Sequence, residues 1–394
     1  MATTPPFAWL FLSCAFLILL KSSSNILVLC KSSSVPGFYI FGDSLNDPGN
    51  NNYLPNSLAR ADFPYNGIDF PAKKATGRFS NGKTSADFLA EKVGLPWAPP
   101  YLSLSENLNA TSAVVTGISF ASGGSGILNG TGMSLSGTTG TVNGTDDDQL
   151  YFKYASMQME SIPLTTQVEY YSMVHDQLVQ QLGSAGAKSH LSKSLFLIVI
   201  GSNDLFAYFN KESNLSKQYT PQQYVNLMAS TLKPLIKKMH RLGARKFAVS
   251  GVPMIGCCPI QRKLNHTDCQ VEPNYWSVKY NDALRSLLRK LKSKLPHINY
   301  SYFHLYDAMN EVIQHPQTYG FTEIKAACCG LGNLNAEFPC MKVLQSTVCS
   351  NRKNHLFWDL FHPTETASGI FADILYNGSG RFTTPMNVEQ LVKS

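Results

Sequence analysis

Short apolar runs alternate with longer amphipathic stretches over most of the chain. Five runs have the length and composition of buried strands and cover residues 38–41, 117–121, 195–200, 246–252 and 298–306. Five longer stretches repeat apolar residues every three or four positions, as amphipathic helices do, and cover residues 85–93, 164–182, 221–242, 275–295 and 364–375. Strands that alternate with helices predict right-handed crossovers, and hence a parallel sheet that helices cover on both faces.

Three of the predicted strands end in small or polar residues. They run into Gly42-Asp43-Ser44, Ser122-Gly123-Gly124 and Gly201-Ser202-Asn203-Asp204. Because ligands of parallel sheets bind at the carboxyl ends of the strands, we expect the chemistry to gather around Ser44, Gly124 and Asn203. The stretch at 130–149 is rich in Gly, Thr and Asp, which favours an exposed loop over a linker between domains.

The amino terminus has the pattern of an export signal. Residues 7–20 form a nearly unbroken apolar run of 14 residues, which is short for a transmembrane helix and typical of a signal peptide. We expect residues 1–32 to be the signal peptide, with cleavage between residues 24 and 34, and residues 33–394 to form a single domain. A membrane anchor at residues 7–20 is the alternative, and we otherwise expect no stable insertion into a membrane.

Cysteines and glycosylation sequons agree with export. Seven cysteines follow the predicted signal, namely Cys257, Cys258, Cys269, Cys328, Cys329, Cys340 and Cys349. Clustered cysteines in an exported chain favour disulfides over metal ligands, and the odd number leaves one thiol free or paired between chains. Seven N-x-[ST] sequons are candidate glycosylation sites, at Asn109, Asn129, Asn143, Asn214, Asn265, Asn299 and Asn377.

The net charge of +7 is concentrated between residues 233 and 294, where fourteen Lys or Arg accompany three Asp or Glu. This pattern is typical of the solvated faces of amphipathic helices, and weak attraction to an acidic polysaccharide or another anionic surface is the alternative. The chain carries no nucleic-acid-binding motif, so we expect no nucleic-acid partner. It also carries no metal-binding motif and no signal for a particular oligomeric state.

Ser44 stands where the first predicted strand meets a turn-rich segment, which exposes its hydroxyl at the edge of the sheet. A serine hydroxyl needs a base that accepts its proton before it can act as a nucleophile. A cap at the end of the strand is the alternative role for this serine. The chain lacks the G-x-S-x-G motif, which argues against an ordinary α/β-hydrolase.

Asp359 and His362 lie three positions apart in a segment rich in aromatic residues. In a turn, this spacing lets the carboxylate orient the imidazole and stabilise its protonated form, while the other ring nitrogen faces the serine. Pro363 disfavours helix at the preceding residue and so favours the turn. A helix cap beside a surface histidine is the alternative explanation of a lone D-x-x-H.

Three donors are candidates for an oxyanion hole, which stabilises the negative oxygen that develops during acyl transfer. Gly124 offers a backbone N–H that no side chain blocks, Asn203 offers its side-chain amide, and Ser44 offers its own backbone N–H. A plain turn at Gly124 and an Asx turn at Asn203 are the alternative explanations.

Together these motifs resemble the GDSL esterase/lipase family of plants, which belongs to the SGNH hydrolases. The matching blocks run in order over nearly the whole mature chain: Phe41-Gly42-Asp43-Ser44 with Asn50-Asn51-Asn52-Tyr53, residues 117–124, Ile200-Gly201-Ser202-Asn203-Asp204, and residues 359–362, with further matches at 76–82 and 253–257. Two positions depart from the family pattern. Ser119 stands where the second block usually has Asn, and Cys258 follows the matching Cys257, which would account for the odd cysteine count.

The resemblance implies a flavodoxin-like fold, a three-layer α/β/α sandwich around a central five-stranded parallel sheet. It implies Ser44 as nucleophile, Asp359 and His362 as the rest of the triad, and Ser44, Gly124 and Asn203 as oxyanion donors. We expect the protein to hydrolyse carboxylic esters, whether of lipids, acetylated polysaccharides or small molecules, through a covalent acyl-enzyme and without a metal or organic cofactor. We expect it to act in the apoplast or cell wall, with the vacuole as an alternative. Acyl transfer by the same triad and a catalytically silent glycoprotein that binds carbohydrate or lipid are the alternative functions.

Overall fold

The computed structural model of the protein describes residues 34–394, except 107, 109–111, 132–159, 211–212, 266 and 342–345. The predicted signal peptide and most of the stretch at 130–149 therefore lie outside the described residues. The same holds for the sequons at Asn109 and Asn143.

A central sheet organises the described residues. The strands, in chain order, are β1 (Phe38–Gly42), β2 (Leu195–Val199), β3 (Lys246–Ser250), β4 (Asn299–Phe303), β5 (Glu323–Ala327), β6 (Cys329–Gly330), β7 (Thr347–Val348), β8 (His355–Phe357) and β9 (Thr383–Thr384). In the central sheet β1, β2, β3 and β4 lie side by side and parallel, and β9 is antiparallel beside β4. Gly42, Val199, Ser250 and Phe303 form one row across the sheet, so the carboxyl ends of the parallel strands meet at one edge.

The predicted strand at 117–121 flanks β1 on its other side. The N–H of Ile40 donates to the carbonyl of Ile118 at 3.0 Å, the N–H of Phe120 donates to the carbonyl of Ile40 at 2.7 Å, and a parallel bridge joins Ile40 to Ser119. With this segment as second strand, the spatial order is the flavodoxin-like 2-1-3-4-5. The predicted α/β/α fold with a central five-stranded parallel sheet is confirmed as a five-stranded sheet that is mostly parallel, since its last strand, β9, is antiparallel.

Helices cover both faces of the sheet. In the described residues they are α1 (Ser85–Val93), α2 (Ala113–Thr116), α3 (Leu164–Lys193), α4 (Ser202–Phe209), α5 (Leu215–Gln218), α6 (Pro221–Arg241), α7 (Pro259–Arg262), α8 (Val271–Lys294), α9 (Leu305–Gln314), α10 (Glu365–Asn377) and α11 (Val388–Lys393). The five predicted helices correspond to α1, α3, α6, α8 and α10. α3 continues beyond its predicted end, past a kink at Gly183, whose φ of 70° and ψ of 163° are not helical.

Capping residues fix where the helices begin. At the start of α6, the Thr220 hydroxyl accepts the N–H of Gln223 at 3.3 Å, and the Gln223 side chain accepts the N–H of Thr220 at 2.8 Å. This reciprocal pair satisfies two donors that a helix start leaves unpaired. Thr364 caps α10 by accepting the N–H of Ala367 at 3.2 Å, and it thereby fixes the end of the segment that carries Asp359 and His362.

Each parallel strand contributes side chains to two separate cores, because successive side chains of a strand point to opposite faces. Tyr39 and Phe41 of β1 pack with α3, α6 and α8 on one face. Phe38 and Ile40 pack with α1, α9, α10 and α11 on the other. Burial on both faces explains why these strands read as continuous apolar runs in the sequence.

Three disulfides and one unpaired thiol account for the cysteines that follow the predicted signal. The disulfides are Cys257–Cys269, Cys328–Cys349 and Cys329–Cys340, and Cys258 is free and buried. The expectation of disulfides with one thiol left over is thus confirmed. The N–H groups of Cys328 and Cys329 donate to the carbonyls of Phe357 at 3.0 Å and Trp358 at 2.7 Å, so these two disulfides support the segment that leads to Asp359.

The surface helices give no sign of a membrane span. Among the described residues, no helix combines the length and the apolarity that crossing a bilayer requires. Much of the basic cluster lies on α6 and α8, where Lys233, Arg289, Lys290 and Lys294 are exposed. These positions agree with the solvated helix faces that the charge pattern predicts.

Candidate active site

Ser44 lies directly beyond the carboxyl end of β1, between the segment at 117–121 and β2. The order of the strands reverses at this point, and open α/β sheets bind ligands at such switch points. Gly42, the last residue of β1, has a φ of 153°, and a Cβ there would lie 2.2 Å from the carbonyl oxygen of Val199. Glycine is therefore required for the chain to pass β2 on its way to Ser44.

Ser44, His362 and Asp359 form one continuous chain of hydrogen bonds. The Ser44 Oγ lies 2.8 Å from Nε2 of His362, and Nδ1 of His362 lies 2.8 Å from each carboxylate oxygen of Asp359. Because an ionised carboxylate only accepts hydrogen bonds, Nδ1 carries the proton and donates it to Asp359. Nε2 is then free to accept the proton of the Ser44 hydroxyl, which is the arrangement of a general base.

A tight turn brings Asp359 and His362 together. Oδ1 of Asp359 accepts the backbone N–H groups of Phe361 and His362, each at 2.9 Å. The N–H of Trp358 donates to the carbonyl of His362 at 2.7 Å and closes the turn from the other side. The carboxylate is therefore held by the same backbone that carries the imidazole, as the D-x-x-H spacing predicts.

Aromatic rings surround the imidazole. The ring of Phe79 lies 5.0 Å from that of His362, and Phe361, at 6.0 Å, in turn contacts Phe206 edge-on. His362 is only 8% exposed, so little water screens its attraction to Asp359. The sequence indicated aromatic neighbours within the D-x-x-H segment, whereas Phe79 and Phe206 come from distant segments and were not predicted.

The candidate oxyanion donors lie on loops that are bonded to each other. Nδ2 of Asn203 donates to the carbonyl of Ser125 at 2.8 Å, which links the start of α4 to the residue after Gly124 and leaves the second amide hydrogen available. Gly124 has a φ of 78°, a conformation that glycine adopts at little cost. Within the described residues, the N–H groups of Ser44 and Gly124 donate to no protein acceptor. Their assignment to an oxyanion hole stays a prediction.

Gln167 on α3 joins the loops that carry Ser44 and Gly124, a role that the sequence analysis missed. Its Oε1 accepts the N–H of Gly42 at 2.9 Å, and its Nε2 donates to the carbonyl of Gly42 at 2.8 Å and to Ser125 Oγ at 3.0 Å. The side-chain amide is fully buried. It pairs the N–H of Gly42 and shares the Gly42 carbonyl with the N–H of Ser122, which donates at 3.1 Å. The available signal is a polar residue on the apolar face of a predicted helix, beside Val168 and Tyr171.

Asp204 holds the segment after Gly124, which is a second role that the sequence did not reveal. Its carboxylate accepts the N–H groups of Ile127 at 2.9 Å and Leu128 at 3.0 Å and the hydroxyl of Thr131 at 2.9 Å. Burial raises the pKa of Asp204, and these donors act against that rise. The side chain is therefore a structural link between α4 and the residues that follow the candidate oxyanion loop.

The groups that meet at Ser44 are its own hydroxyl, the imidazole of His362 and, through that imidazole, the carboxylate of Asp359. In the part of the chain that the structure describes, no cluster of three or more His, Cys, Asp or Glu side chains is arranged to bind a metal ion. The structure thus brings Ser44, Asp359 and His362 into direct contact and links Asn203 to the loop of Gly124. This set has the chemistry of acyl transfer through a serine.

Comparison with known proteins identifies the family. The sequence profile of the GDSL-like lipase/acylhydrolase family matches residues 38–375. A GDSL esterase/lipase of Arabidopsis thaliana is 44% identical over 371 residues, and the alignment covers 92% of each of the two chains. GDSL esterase/lipase 7 of the same plant is 35% identical over 369 residues, and that alignment covers 91% of this chain and 92% of the relative. A more distant likeness, with a TM-score of 0.34 and 11% identity, is to a catalytic mutant of an acetylxylan esterase from Geobacillus stearothermophilus, and it covers 87% of this chain and 93% of that one. The chain belongs to the GDSL-like lipase/acylhydrolase family of carboxylic ester hydrolases.

Proposed function

We propose that this protein is a secreted serine esterase/lipase in which Ser44 attacks the ester and His362 and Asp359 complete the catalytic triad. The observation that carries the proposal is the unbroken chain of 2.8 Å contacts from the Ser44 hydroxyl through His362 to the Asp359 carboxylate. Membership of a family of carboxylic ester hydrolases supports the same reaction.

The reaction runs through an acyl-enzyme. Nε2 of His362 takes the hydroxyl proton while Ser44 Oγ attacks the carbonyl carbon, and Asp359 stabilises the imidazolium that forms. The imidazolium then protonates the oxygen of the leaving alcohol, the C–O bond breaks, and the acyl group stays on Ser44. A water molecule, deprotonated by Nε2, attacks the acyl carbon. The bond to Ser44 Oγ then breaks, the imidazolium returns its proton to Oγ, and the acid is released. General-base catalysis of this kind typically contributes about 10²–10⁴-fold to the rate.

The carbonyl oxygen becomes negative in both tetrahedral intermediates and requires donors. We assign this role to the N–H groups of Ser44 and Gly124 and to the second Nδ2 hydrogen of Asn203. Loss of one such donor typically costs roughly 2.7–4 kcal/mol of transition-state stabilisation. The bonds of Gln167 and Asn203 to Ser125 fix these loops before the substrate arrives, so little reorganisation accompanies the reaction.

Export to the apoplast or cell wall is part of the proposal. The apolar run at 7–20, the seven sequons and the three disulfides support it, since disulfides persist mainly in oxidising compartments. The substrate we propose is a carboxylic ester of a lipid, an acetylated polysaccharide or a small molecule.

Hydrolysis of p-nitrophenyl acetate and p-nitrophenyl butyrate tests the mechanism. We expect Ser44→Ala and His362→Ala each to lower kcat/KM by about 10³–10⁴-fold or more, because each removes a member of the triad. The matched control is His355→Ala, since His355 lies nearby on β8 and bonds to Asn354 and Asn351 rather than to Ser44. This control should keep turnover within about twofold.

Labelling by a fluorophosphonate probe complements the kinetics. Wild type and His355→Ala should be labelled on Ser44, and Ser44→Ala should not be. Wild-type turnover by Ser44→Ala, or an acyl adduct on another residue, would contradict the mechanism. A wild-type protein that neither turns over nor labels would favour a silent binding protein, and ester products formed on added sugar or lipid alcohols would favour acyl transfer.

A further inference from the structure

Gly123 is held by hydrogen bonds on both sides of its Cα, and both come from side chains outside its own loop. The carbonyl of Gly123 accepts a hydrogen bond from Nδ2 of Asn51 at 2.9 Å. The N–H of Gly123 donates to Oδ2 of Asp47, also at 2.9 Å. Both partners lie on the segment after Ser44, so the loop of the nucleophile holds the loop of the candidate oxyanion donor.

The hydrogen bond from Asn51 to the Gly123 carbonyl determines where the Gly124 N–H points. A trans peptide is planar, and its C=O and N–H groups point in opposite directions. Asn51 therefore fixes the direction of the Gly124 N–H without touching it. Two successive glycines resist rotation of this plane less than other residues do, so the orientation depends on partners outside the glycines.

The side chains of Asn51 and Asp47 are themselves fixed by further hydrogen bonds. Asn51 is 1% exposed, donates to the carbonyl of Ala59 at 2.7 Å and accepts the hydroxyl of Ser122 at 2.5 Å. Asp47 is fully buried, and its Oδ1 accepts the N–H groups of Gly49 at 2.7 Å and Asn50 at 2.6 Å. The arrangement therefore resists a change in the direction of the peptide plane.

Gly123 has no room for a side chain, because Phe79 and Asn51 lie where its Cβ would be. A Cβ at this position would lie 2.5 Å from Cζ of Phe79, whose ring packs on His362, and 2.9 Å from Nδ2 of Asn51. Close contact between the backbone and Asn51 thus requires glycine at 123, while the positive φ requires glycine at 124. The pair of glycines and the two polar side chains form one unit.

We propose that Asn51 and Asp47 are positioning residues for the oxyanion hole. Asn51 holds the carbonyl of the Gly123–Gly124 peptide and Asp47 holds the N–H of the peptide just before it, so that the Gly124 N–H is aimed at the developing oxyanion. This inference rests on the proposed function and adds to it two residues that make no hydrogen bond to Ser44 or His362. A tilted N–H still lets the substrate bind but weakens its contact with the negative oxygen of the transition state. The loss therefore falls on kcat rather than on KM.

Asp47→Asn and Asn51→Ala test the proposal in the full-length mature protein. Asp47→Asn keeps the shape of the side chain and an oxygen for Gly49 and Asn50 but removes the acceptor for the Gly123 N–H. Asn51→Ala removes the donor to the Gly123 carbonyl. Asn52→Ala is the matched control, because Asn52 lies on the same turn and donates instead to the carbonyl of Thr76 at 3.1 Å.

Two readouts separate positioning from general support of the fold. We expect each test variant to lower kcat for p-nitrophenyl acetate by about 10–10²-fold, below the loss for a donor that is removed outright. The Ki of an alkyl trifluoromethyl ketone, which adds to the serine as a tetrahedral oxyanion, should rise by a similar factor, because transition-state analogues report the same contacts. KM should change by less than about twofold, and Asn52→Ala should leave kcat and Ki near wild type.

Rates are expressed per folded molecule, with the folded fraction taken from urea unfolding of each variant. If both variants lose stability but keep kcat and ketone affinity per folded molecule, the side chains only support the fold and the proposal is overturned. A loss confined to KM overturns it as well. Ser44→Ala distinguishes failure of the positioning role from failure of the proposed function. If Ser44→Ala is inactive while Asp47→Asn and Asn51→Ala are fully active, only the positioning role is rejected. If Ser44→Ala is active, the proposed function is rejected too.

Discussion

The carboxyl group of Asp43 is buried beside the nucleophile without a full set of partners. It is 1% exposed, its Oδ1 accepts the N–H of Leu45 at 3.0 Å, and its Oδ2 has no hydrogen-bond partner among the described residues. Burial raises the pKa of Asp43 to about 7, although the N–H of Leu45 and the nearby His362 act against the rise. Ionisation of Asp43 is therefore more costly in the folded protein than in the unfolded chain.

Asp43→Asn should remove a pH-dependent loss of stability. Because the pKa of Asp43 in the folded state lies above its ordinary value of 3.8, the stability linked to its proton is fully present below about pH 4 and is lost as the pH rises through about 7. The free energy of unfolding of the variant, relative to wild type, should therefore rise across this range by an amount on the order of 2–4 kcal/mol. Urea unfolding of both proteins at half-unit steps of pH measures this difference.

The control for this experiment is an exposed aspartate. Asp62→Asn, at an exposed position on a loop, should give a difference from wild type that changes little with pH. Burial also raises the pKa of Asp47 and Asp204, and both residues are common to the proteins compared. The charge of Asp204 adds to the rise in the pKa of Asp43, so its interaction with Asp43 is part of the measured difference. A difference for Asp43→Asn that stays flat between about pH 4 and 8 would contradict the prediction.

Single residues were predictable from sequence where a short motif carries the whole chemistry. The contact between Asp359 and His362 was predictable because the turn that joins them needs only three positions, and the place of Ser44 because it follows a clear strand. Gln167 was not found, because its partner Gly42 lies 125 positions away and the contact arises only when α3 packs on β1. The unpartnered oxygen of Asp43 likewise depends on burial by several elements and has no local signal.

At the scale of elements, α7 supports the turn that carries His362. The N–H of Ile260 donates to the carbonyl of Leu360 at 3.2 Å, and the Cys258 thiol lies 3.8 Å from the carbonyl of Phe361. The disulfide Cys257–Cys269 fixes the segment just before this helix. The unpaired Cys258 is therefore part of the packing between α7 and the candidate active site.

Titration of thiols with Ellman's reagent tests this arrangement of cysteines. We expect almost no reaction in the native protein, because Cys258 is 4% exposed and burial raises its pKa to about 12, which leaves almost no reactive thiolate. In denaturant without reductant, one thiol should react per chain that begins after the predicted signal peptide, because Cys258 is the one unpaired cysteine among the described residues. Cys258→Ala should show none under either condition. More than one thiol in the unfolded wild-type chain, or rapid reaction in the native protein, would contradict this assignment.

Disulfide pairing could not be read from cysteine spacing, and the strands explain why. Cys328 and Cys329 are neighbours in an extended segment, so their side chains point to opposite sides and reach different partners, Cys349 and Cys340. The predicted ends of elements were wrong where an apolar run continues past the end of a strand. The predicted strand at 298–306 ends at Phe303, and α9 begins at Leu305. The apolar residues Leu305 and Tyr306 continue the pattern of the strand, so the sequence gives no sign of the boundary.

At the scale of the whole molecule, the site is assembled from residues that lie far apart in the chain. Ser44 and His362 are 318 positions apart and meet because β1 lies at the switch point of the sheet while α7 and α10 flank the turn at 359–362. The alternation of strands and helices was enough to predict a parallel sheet. It did not determine the order of the strands in space, nor that the short β9 would pair antiparallel with β4, since those depend on which buried faces fit together.

The distribution of sequons over the fold leads to a prediction about export and glycosylation together. Among the described sequons, Asn129, Asn214 and Asn377 are exposed, whereas Asn299 lies in β4 and Asn265 donates to the carbonyl of Cys269 at 3.1 Å. A glycan on an exposed asparagine costs the fold little, whereas one on an asparagine that packs or donates within the fold removes that interaction.

For protein secreted from plant cells, we therefore expect high glycan occupancy at Asn129, Asn214 and Asn377 and lower occupancy at Asn265 and Asn299. Peptide mapping after enzymatic deglycosylation in ¹⁸O-labelled water measures each site, and stepwise mass loss in the three Asn→Gln variants checks the assignment. Protein made in the bacterial cytosol is the unmodified control. If secreted material carries no glycan at the three exposed sites, the sequons are chance matches, and the case for export then depends on the apolar amino terminus and the disulfides alone.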